Sequence, residues 1–404
     1  MTDLSQRLQQ LTPEQRKRLS ENLRRREARP AAGSAASAQQ PKPVLLPKRQ
    51  SLYFFASSGA HAAADYYPLV LEAAALADRA GLHAVWLPER HFVDFGGFSP
   101  NPAVLGAAVA ATTERLGIRA GSVAAPLQHA VRITEDWALV DNLSGGRVGV
   151  SFASGWHPDD FVLAREDYAD RREVTARTIE NVRAHWRGDA VSYPTTAGGE
   201  AEVRTQPRPV QEELPVWLTA AGNPATFEAA GRAGYGIMTA LLGQTLKALR
   251  ENVARYRAAW QAAGHEGDGD VVVMVHAYVS DRPDLEEFLR PAMHAYLRSF
   301  RSQTTESERD EEVLLESAYL DFLQGPSLLG TPEKARKVLA ELRDAGADEV
   351  GHLIDFGLPA ADVVEGLPEL FALSADPEQD QAPVPEHARD HAPSGAEEPQ
   401  GVRA

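Results

Sequence analysis

Residues 117–155, GIRAGSVAAPLQHAVRITEDWALVDNLSGGRVGVSFASG, decide the fold. Two short apolar runs, GIRAGS from Gly117 and RVGVSFAS from Arg147, flank an amphipathic helical pattern, ITEDWALVDNLSGG. The runs are strand-like in length and composition, and the segment between them spaces its apolar residues at helical intervals. Gly145 stands where that helix needs a left-handed residue to stop. A strand, a helix and a second strand predict a parallel pair under a crossover helix.

The same unit returns on both sides. Further strands are expected at SLYFFAS from Ser51, HAVWLPE from His83, PVWLTAA from Pro215, GIMTALL from Gly236, VVVMVHAYV from Val271 and VGHLIDFG from Val350, which makes eight. Helical patterns follow nearly all of them, including YPLVLEAAALADRAG, NPAVLGAAVAATTERL, REVTARTIENVRAHWRG, ATFEAAGRAG and LKALRENVARYRAAWQAAG. Glycines at 81, 117, 188, 234 and 346 are read, like Gly145, as helix closers. Eight such units predict an α/β fold, a (β/α)8 TIM barrel with insertions over residues 50–373. The competitor is a doubly wound open sheet, but FASSGAHAAADYY lacks the glycine-rich first turn such a sheet normally carries. Two segments break the rhythm: a hairpin excursion after Gly188, and an insertion at 281–330, expected to be a partly helical lid.

The flanks differ. Residues 1–29 read as an amphipathic helix, with Leu4, Leu8, Leu11, Leu19 and Leu23 on one side, and residues 30–49 read as an Ala/Ser/Pro linker. Residues 374–404 are polar, acidic and proline-rich, and are expected to be a disordered tail. The 404 residues are 43% hydrophobic, 24% charged and free of cysteine, with a formal charge of -16. Disulfides and thiolate chemistry are therefore excluded, and the acidity argues against a nucleic-acid surface. No apolar run is long enough to span a membrane and no secretory signal is visible, so a cytoplasmic location is expected.

Chemistry on such a barrel sits where strands end. WLPERHF places Glu89, Arg90 and His91 at the end of the second strand. In extended geometry Glu89 and His91 share one face and Arg90 the other, and only one face can look into the mouth. The bland alternative is an ion pair between Glu89 and Arg90. In TAAGNPATFEAAG, Asn223 stands at an N-cap position and Pro224 at the first helical one, so Gly222 and Asn223 would turn backbone N–H groups toward an anion. Ser154 and Gly155 close the fourth strand with no bulky side chain to block approach, and Arg172 follows. Either turn alone is also a common structural device. His129 serves equally as a capping histidine. The histidines show no paired metal-ligand spacing, and no G-x-S-x-G turn offers a serine nucleophile.

Taken together, PERHFVDFG, DNLSGGRVGVSFASGW, PVWLTAAGNPATFEAAG and LLGTPEKARKVLAELRDAGADEVGHLIDFG resemble the bacterial luciferase-like flavin monooxygenases, most closely the branch of nonribosomal peptide and polyketide biosynthesis. The resemblance covers roughly residues 50–372. It implies a barrel that binds reduced FMN, which reacts with O2 to a flavin C4a-(hydro)peroxide and oxygenates a secondary-metabolite intermediate. It also implies a flavin reductase as partner and a homodimer, the latter in keeping with the small residues of NPAVLGAAVAAT. Position by position, Ser154, Gly155, Trp156 and Arg172 resemble the family's phosphate and ribityl contacts, and Ala221, Gly222, Asn223 and Thr226 its second phosphate segment. Gly121 and Ser122 match the strand end that lies along the isoalloxazine, in some members through a non-prolyl cis peptide. The luciferases proper carry a histidine at the position of Arg90, so the light-emitting aldehyde reaction is not expected here. His91 remains a proton donor or acceptor. Two alternatives stay open: a deazaflavin-dependent oxidoreductase on the same barrel, and a non-catalytic scaffold whose N-terminal helix docks on a megasynthase. If the barrel is catalytic, that helix is expected to recruit a carrier protein bearing the substrate.

Overall fold

The computed structural model describes residues 46–55, 63–92, 98–301 and 308–374. The helix expected over 1–29, most of the linker and the acidic tail beyond Ser374 lie outside the described residues.

The described chain opens with β1 (Arg49–Tyr53), α1 (Ala63–Ala80), β2 (Ala84–Leu87), α2 (Pro102–Ala110), β3 (Gly117–Ala124), α3 (Ala130–Ser144) and β4 (Val148–Ala153). After α4 (Arg171–Arg187) comes a hairpin, β5 (Val191–Pro194) with β6 (Glu200–Val203), paired antiparallel as the sequence predicts. Then follow β7 (Val216–Ala220), α5 (Pro224–Ala233), β8 (Gly236–Ala240), α6 (Leu246–Ala262) and β9 (Val271–Val279). The insertion forms α7 (Leu285–Arg301), α8 (Glu308–Gln324) and β10 (Leu328–Gly330). The described chain closes with α9 (Pro332–Asp344), β11 (Glu349–Leu353) and α10 (Ala360–Phe371). In space the strands run β9, β11, β1, β2, β3, β4, β7, β8, and β8 pairs back to β9. The eight expected strands thus form a closed parallel barrel. β10, three residues long and too short to show a pattern, pairs parallel with the last residues of β9, Ala277–Val279.

Two boundaries move because of contacts with residues distant in sequence. Arg49, expected in the linker, opens β1, because its guanidinium is drawn to the barrel floor by Asp270. α2 stops at Ala110, short of Leu116, since the Asp78 carboxylate takes the N–H groups of Glu114, Arg115 and Leu116 and holds them in a turn. Gly117 accordingly closes no helix. It begins β3, where any Cβ would stand 3.0 Å from the His83 carbonyl. Gly145, Gly188, Gly234 and Gly346 do adopt the left-handed conformation that ends a helix or turn.

Alternate residues of each strand fill the barrel. At its floor the wholly buried Glu349 accepts from Ser51 Oγ at 2.6 Å, Trp86 Nε1 at 2.8 Å and Arg119 Nη1 at 3.1 Å. Burial alone would raise the Glu349 pKa, but Arg119, His83 and these hydrogen bonds outweigh it and hold the carboxyl low. Asp270 accepts from Trp217 Nε1 at 2.9 Å beside it. The floor is closed by this ionic network, and the free end of the barrel is the other one.

Candidate active site at the barrel mouth

The floor fixes what faces the mouth. Trp86 points inward to Glu349, so two residues on Pro88 and then Arg90 take the same side, while Val85, Leu87 and Glu89 point away. The Arg90 guanidinium lies 4.0 Å from the centre of the Trp156 ring and 5.7 Å from that of Phe55. Burial, only partly offset by Asp160, lowers its pKa to about 10, so it stays charged at neutral pH.

Glu89 pairs with His91, not with Arg90. Its buried carboxylate accepts from the Ala124 N–H at 3.0 Å and Gln128 Nε2 at 2.9 Å, and His91 Nε2 lies 3.0 Å from Oε1. It therefore ties the end of β2 to the end of β3. His91 keeps partial access to solvent.

In the second half of β3 the Gly121–Ser122 peptide bond is cis, and the buried Tyr53 hydroxyl donates to the Gly121 carbonyl. A Cβ on Gly121 would meet the Tyr53 ring at 3.0 Å. Burial first, then Asp355, pushes the Tyr53 pKa up, so the phenol is neutral. Asp355, just past β11, accepts the Phe55 N–H on both carboxylate oxygens at 2.9 and 3.0 Å.

β4 and β7 are neighbours, and two residues past the end of each stands a glycine with positive φ, Gly155 at 83° and Gly222 at 89°. Among the described residues, the backbone N–H groups of Ser154, Gly155, Gly222 and Asn223 donate to no protein acceptor. Asn223 caps α5, its side chain accepting the Ala225 N–H at 3.0 Å, and Pro224 is the first helical residue, as the sequence predicts. Thr226 lies in the first turn of that helix and Ala221 is exposed just before it. Gln244 turns an unpartnered Oε1 toward Gly222 while its Nε2 is held by Thr239 Oγ1 at 2.9 Å. A phosphoryl group and its polyol chain fit this donor set, the N–H groups taking anionic oxygens and the lone acceptor a hydroxyl.

Arg172 is exposed on the first turn of α4, and its neighbour Arg171 stacks on Tyr168. His129 is a cap, its Nδ1 accepting the Val131 N–H at 3.3 Å. The structure thus brings together the ends of β2, β3, β4 and β7, with Arg90 and Trp156 in contact. Sequence reasoning passed over Tyr53, Gln128, Gln244 and Asp355. For Tyr53 and Asp355 the position at or just past a strand end was the available signal.

No group of acidic and histidine side chains suited to a metal occurs among the described residues, and none of their helices is long and apolar enough to cross a membrane.

The chain is 22% identical over 311 residues to the oxygenase component of flavin-dependent trigonelline monooxygenase from Acinetobacter baylyi, covering 72% of this chain and 84% of that one. It is 28% identical over 283 residues to 4-hydroxyprotoasukamycin monooxygenase of Streptomyces nodosus subsp. asukaensis, covering 70% and 72%. The monooxygenase RslO1 of Streptomyces bottropensis superposes with a TM-score of 0.66 at 24% identity, over 80% of this chain and 98% of that one. The family model for luciferase-like monooxygenases matches residues 51–349, and the chain belongs to that family of flavin-dependent enzymes.

Proposed function

We propose that the protein is the oxygenase half of a two-component system, taking reduced FMN from a separate reductase and using O2 to oxygenate a small organic substrate. The observation that carries this reading is the pair of adjacent turns at Gly155 and Gly222, whose four open N–H groups suit the phosphate of FMN. Reduced FMN would supply the electrons for oxygen activation. The chain's part is to hold the cofactor and keep water from it. Gly121 and Ser122 offer a flat backbone edge, Tyr53 and Arg90 place a neutral donor and a cation beside it, and His91, oriented by Glu89, exchanges a proton with solvent. Arg172 would have to swing from solvent to reach the phosphate.

Titration with reduced FMN and with a reduced deazaflavin, each followed by admission of air, tests the proposal. Saturable binding of reduced FMN with oxygen consumption supports it. Preference for the deazaflavin without oxygen uptake would replace it with a hydride-transferring enzyme, and binding of neither would leave a scaffold.

The similarity to 4-hydroxyprotoasukamycin monooxygenase and the helical spacing of leucines in the sequence of residues 1–29 favour a secondary-metabolite substrate tethered to a carrier protein of a peptide or polyketide megasynthase. Deleting residues 1–45 should spare turnover of a free thioester mimic and impair that of the carrier-bound form; equal loss on both refutes the docking role.

A further inference from the structure

We propose that the insertion between β9 and β11 supplies a working residue to the mouth, Tyr296 of α7, and that the site is complete only with that helix seated on His276. The inference rests on the flavin reading above and deepens it.

His276 stands on β9, 3% exposed, in register with Leu353 of β11. Three rings enclose its imidazole: Tyr296 of α7 at 5.0 Å, Phe322 of α8 at 4.6 Å and Phe356 at 6.0 Å. Its Nε2 has no partner, and burial drives its pKa down to about 3. A neutral imidazole with an orphan Nε2, walled by aromatic rings, is a socket, and both helices of the insertion plug into it. They do so as one piece, because Glu316 of α8 receives His294 Nε2 at 3.0 Å and Arg290 Nε at 3.2 Å from α7.

Seating brings the phenol of Tyr296 among groups already placed at the mouth. The residue is 2% exposed, and the charges of Asp355 and Arg90 act on its hydroxyl, with the neutral phenol of Tyr53 nearby. Burial first, and Asp355 next, keeps that hydroxyl protonated, so it is a donor at any working pH. α7 thus adds a second neutral phenol to Tyr53 beside the Arg90 cation. A donor of this kind, fixed in a water-poor site, stabilises negative charge developing on oxygen. Tyr296, unlike Tyr53, is carried by a helix of the insertion and not by a barrel strand, so its presence there reports the docking of the insertion.

Two variants separate the socket from the donor. Tyr296→Phe removes only the hydroxyl, and His276→Ala empties the socket. In the cofactor-free protein, amide exchange over residues 285–299 should be equally slow in wild type and Tyr296→Phe, and about tenfold or more faster in His276→Ala. With reduced FMN bound, Tyr296→Phe should keep its affinity within about twofold while its reoxidation by O2 changes about fivefold or more, a split that a purely structural residue would not give. Wild-type reoxidation in Tyr296→Phe, or unprotected amides over 285–299 in wild type, overturns the proposal and leaves the flavin reading standing. Failure of the wild type to bind reduced FMN removes both.

Discussion

The Arg90 guanidinium and the Trp156 indole are stacked at 4.0 Å, which locks the loop after β2 onto the turn after β4. A contact of this kind is worth about 0.5–2 kcal/mol when partly desolvated. Lysine cannot reproduce it, because the planar fork is lost. Arg90→Lys and Arg90→Gln should both slow the oxygen-dependent turnover of bound reduced FMN about tenfold or more, while the unfolding midpoint moves little. Full rate in Arg90→Lys would count against a role for the stack.

Glu89 is expected to matter through structure more than through proton transfer. Glu89→Ala strands the Ala124 N–H and should cost about 1–3 kcal/mol of stability, read by urea unfolding. Glu89→Gln keeps an acceptor and should recover part of that loss. An alanine variant with the wild-type midpoint would reject this assignment.

The glycine turns give opposite signatures. Alanine at Gly222, whose φ is 89°, has room beside Gln244, so the cost of about 1–2 kcal/mol is conformational and should appear mainly as weaker FMN binding. Alanine at Gly155 would put Cβ 2.8 Å from the Phe161 ring and should damage folding as well. Calorimetric titration of each variant, paired with its thermal melt, distinguishes the two. Unaltered affinity in Gly222→Ala argues against the phosphate turn.

Acid should destabilise the barrel before most carboxylates titrate. His276 and His352 are buried, and burial lowers each pKa from about 6.5 to about 3. The unfolded chain therefore binds protons that the folded one refuses, and stability is lost as pH falls below about 6.5. By pH 5.5 the two together should cost about 3 kcal/mol relative to pH 7.5, and His276→Phe or His352→Leu should each remove about half of that slope. Melts at the two pH values decide it; a pH-independent midpoint contradicts the burial argument.

The expected homodimer has a candidate face. Leu139 and Leu143 lie one turn apart on α3 and are 52% and 57% exposed, and Val104 of α2, a helix that packs against α3, is 69% exposed. Leu143→Arg should convert a dimer to a monomer in light scattering without loss of folding. If the wild type is monomeric at micromolar concentration, this face has another role.

Much of the fold was legible because its signals are local. Strand runs such as VVVMVHAYV are largely apolar and buried throughout since both faces of a barrel strand are covered, and several helices end at glycines that no neighbour has to supply. The Asn223–Pro224 cap is likewise written within one turn of chain. The end of α2 was not legible, because what stops it is the side chain of Asp78, more than thirty residues earlier.

The amino-acid order alone settled the number of barrel strands, the hairpin after Gly188, and the placing of Glu89, Arg90, Gly155 and Gly222 at strand ends, since each follows from periodicity and backbone preference over a few residues. Which face of β2 enters the mouth could not be decided that way. It depends on Trp86 reaching Glu349, 263 residues away, and closing a barrel converts that one register into the position of Arg90. The partnership of Glu89 with Ala124, of Tyr53 with Gly121 and of His276 with Tyr296 likewise exists only once the ring of strands has shut, because side chains far apart in sequence acquire a common neighbourhood through packing alone.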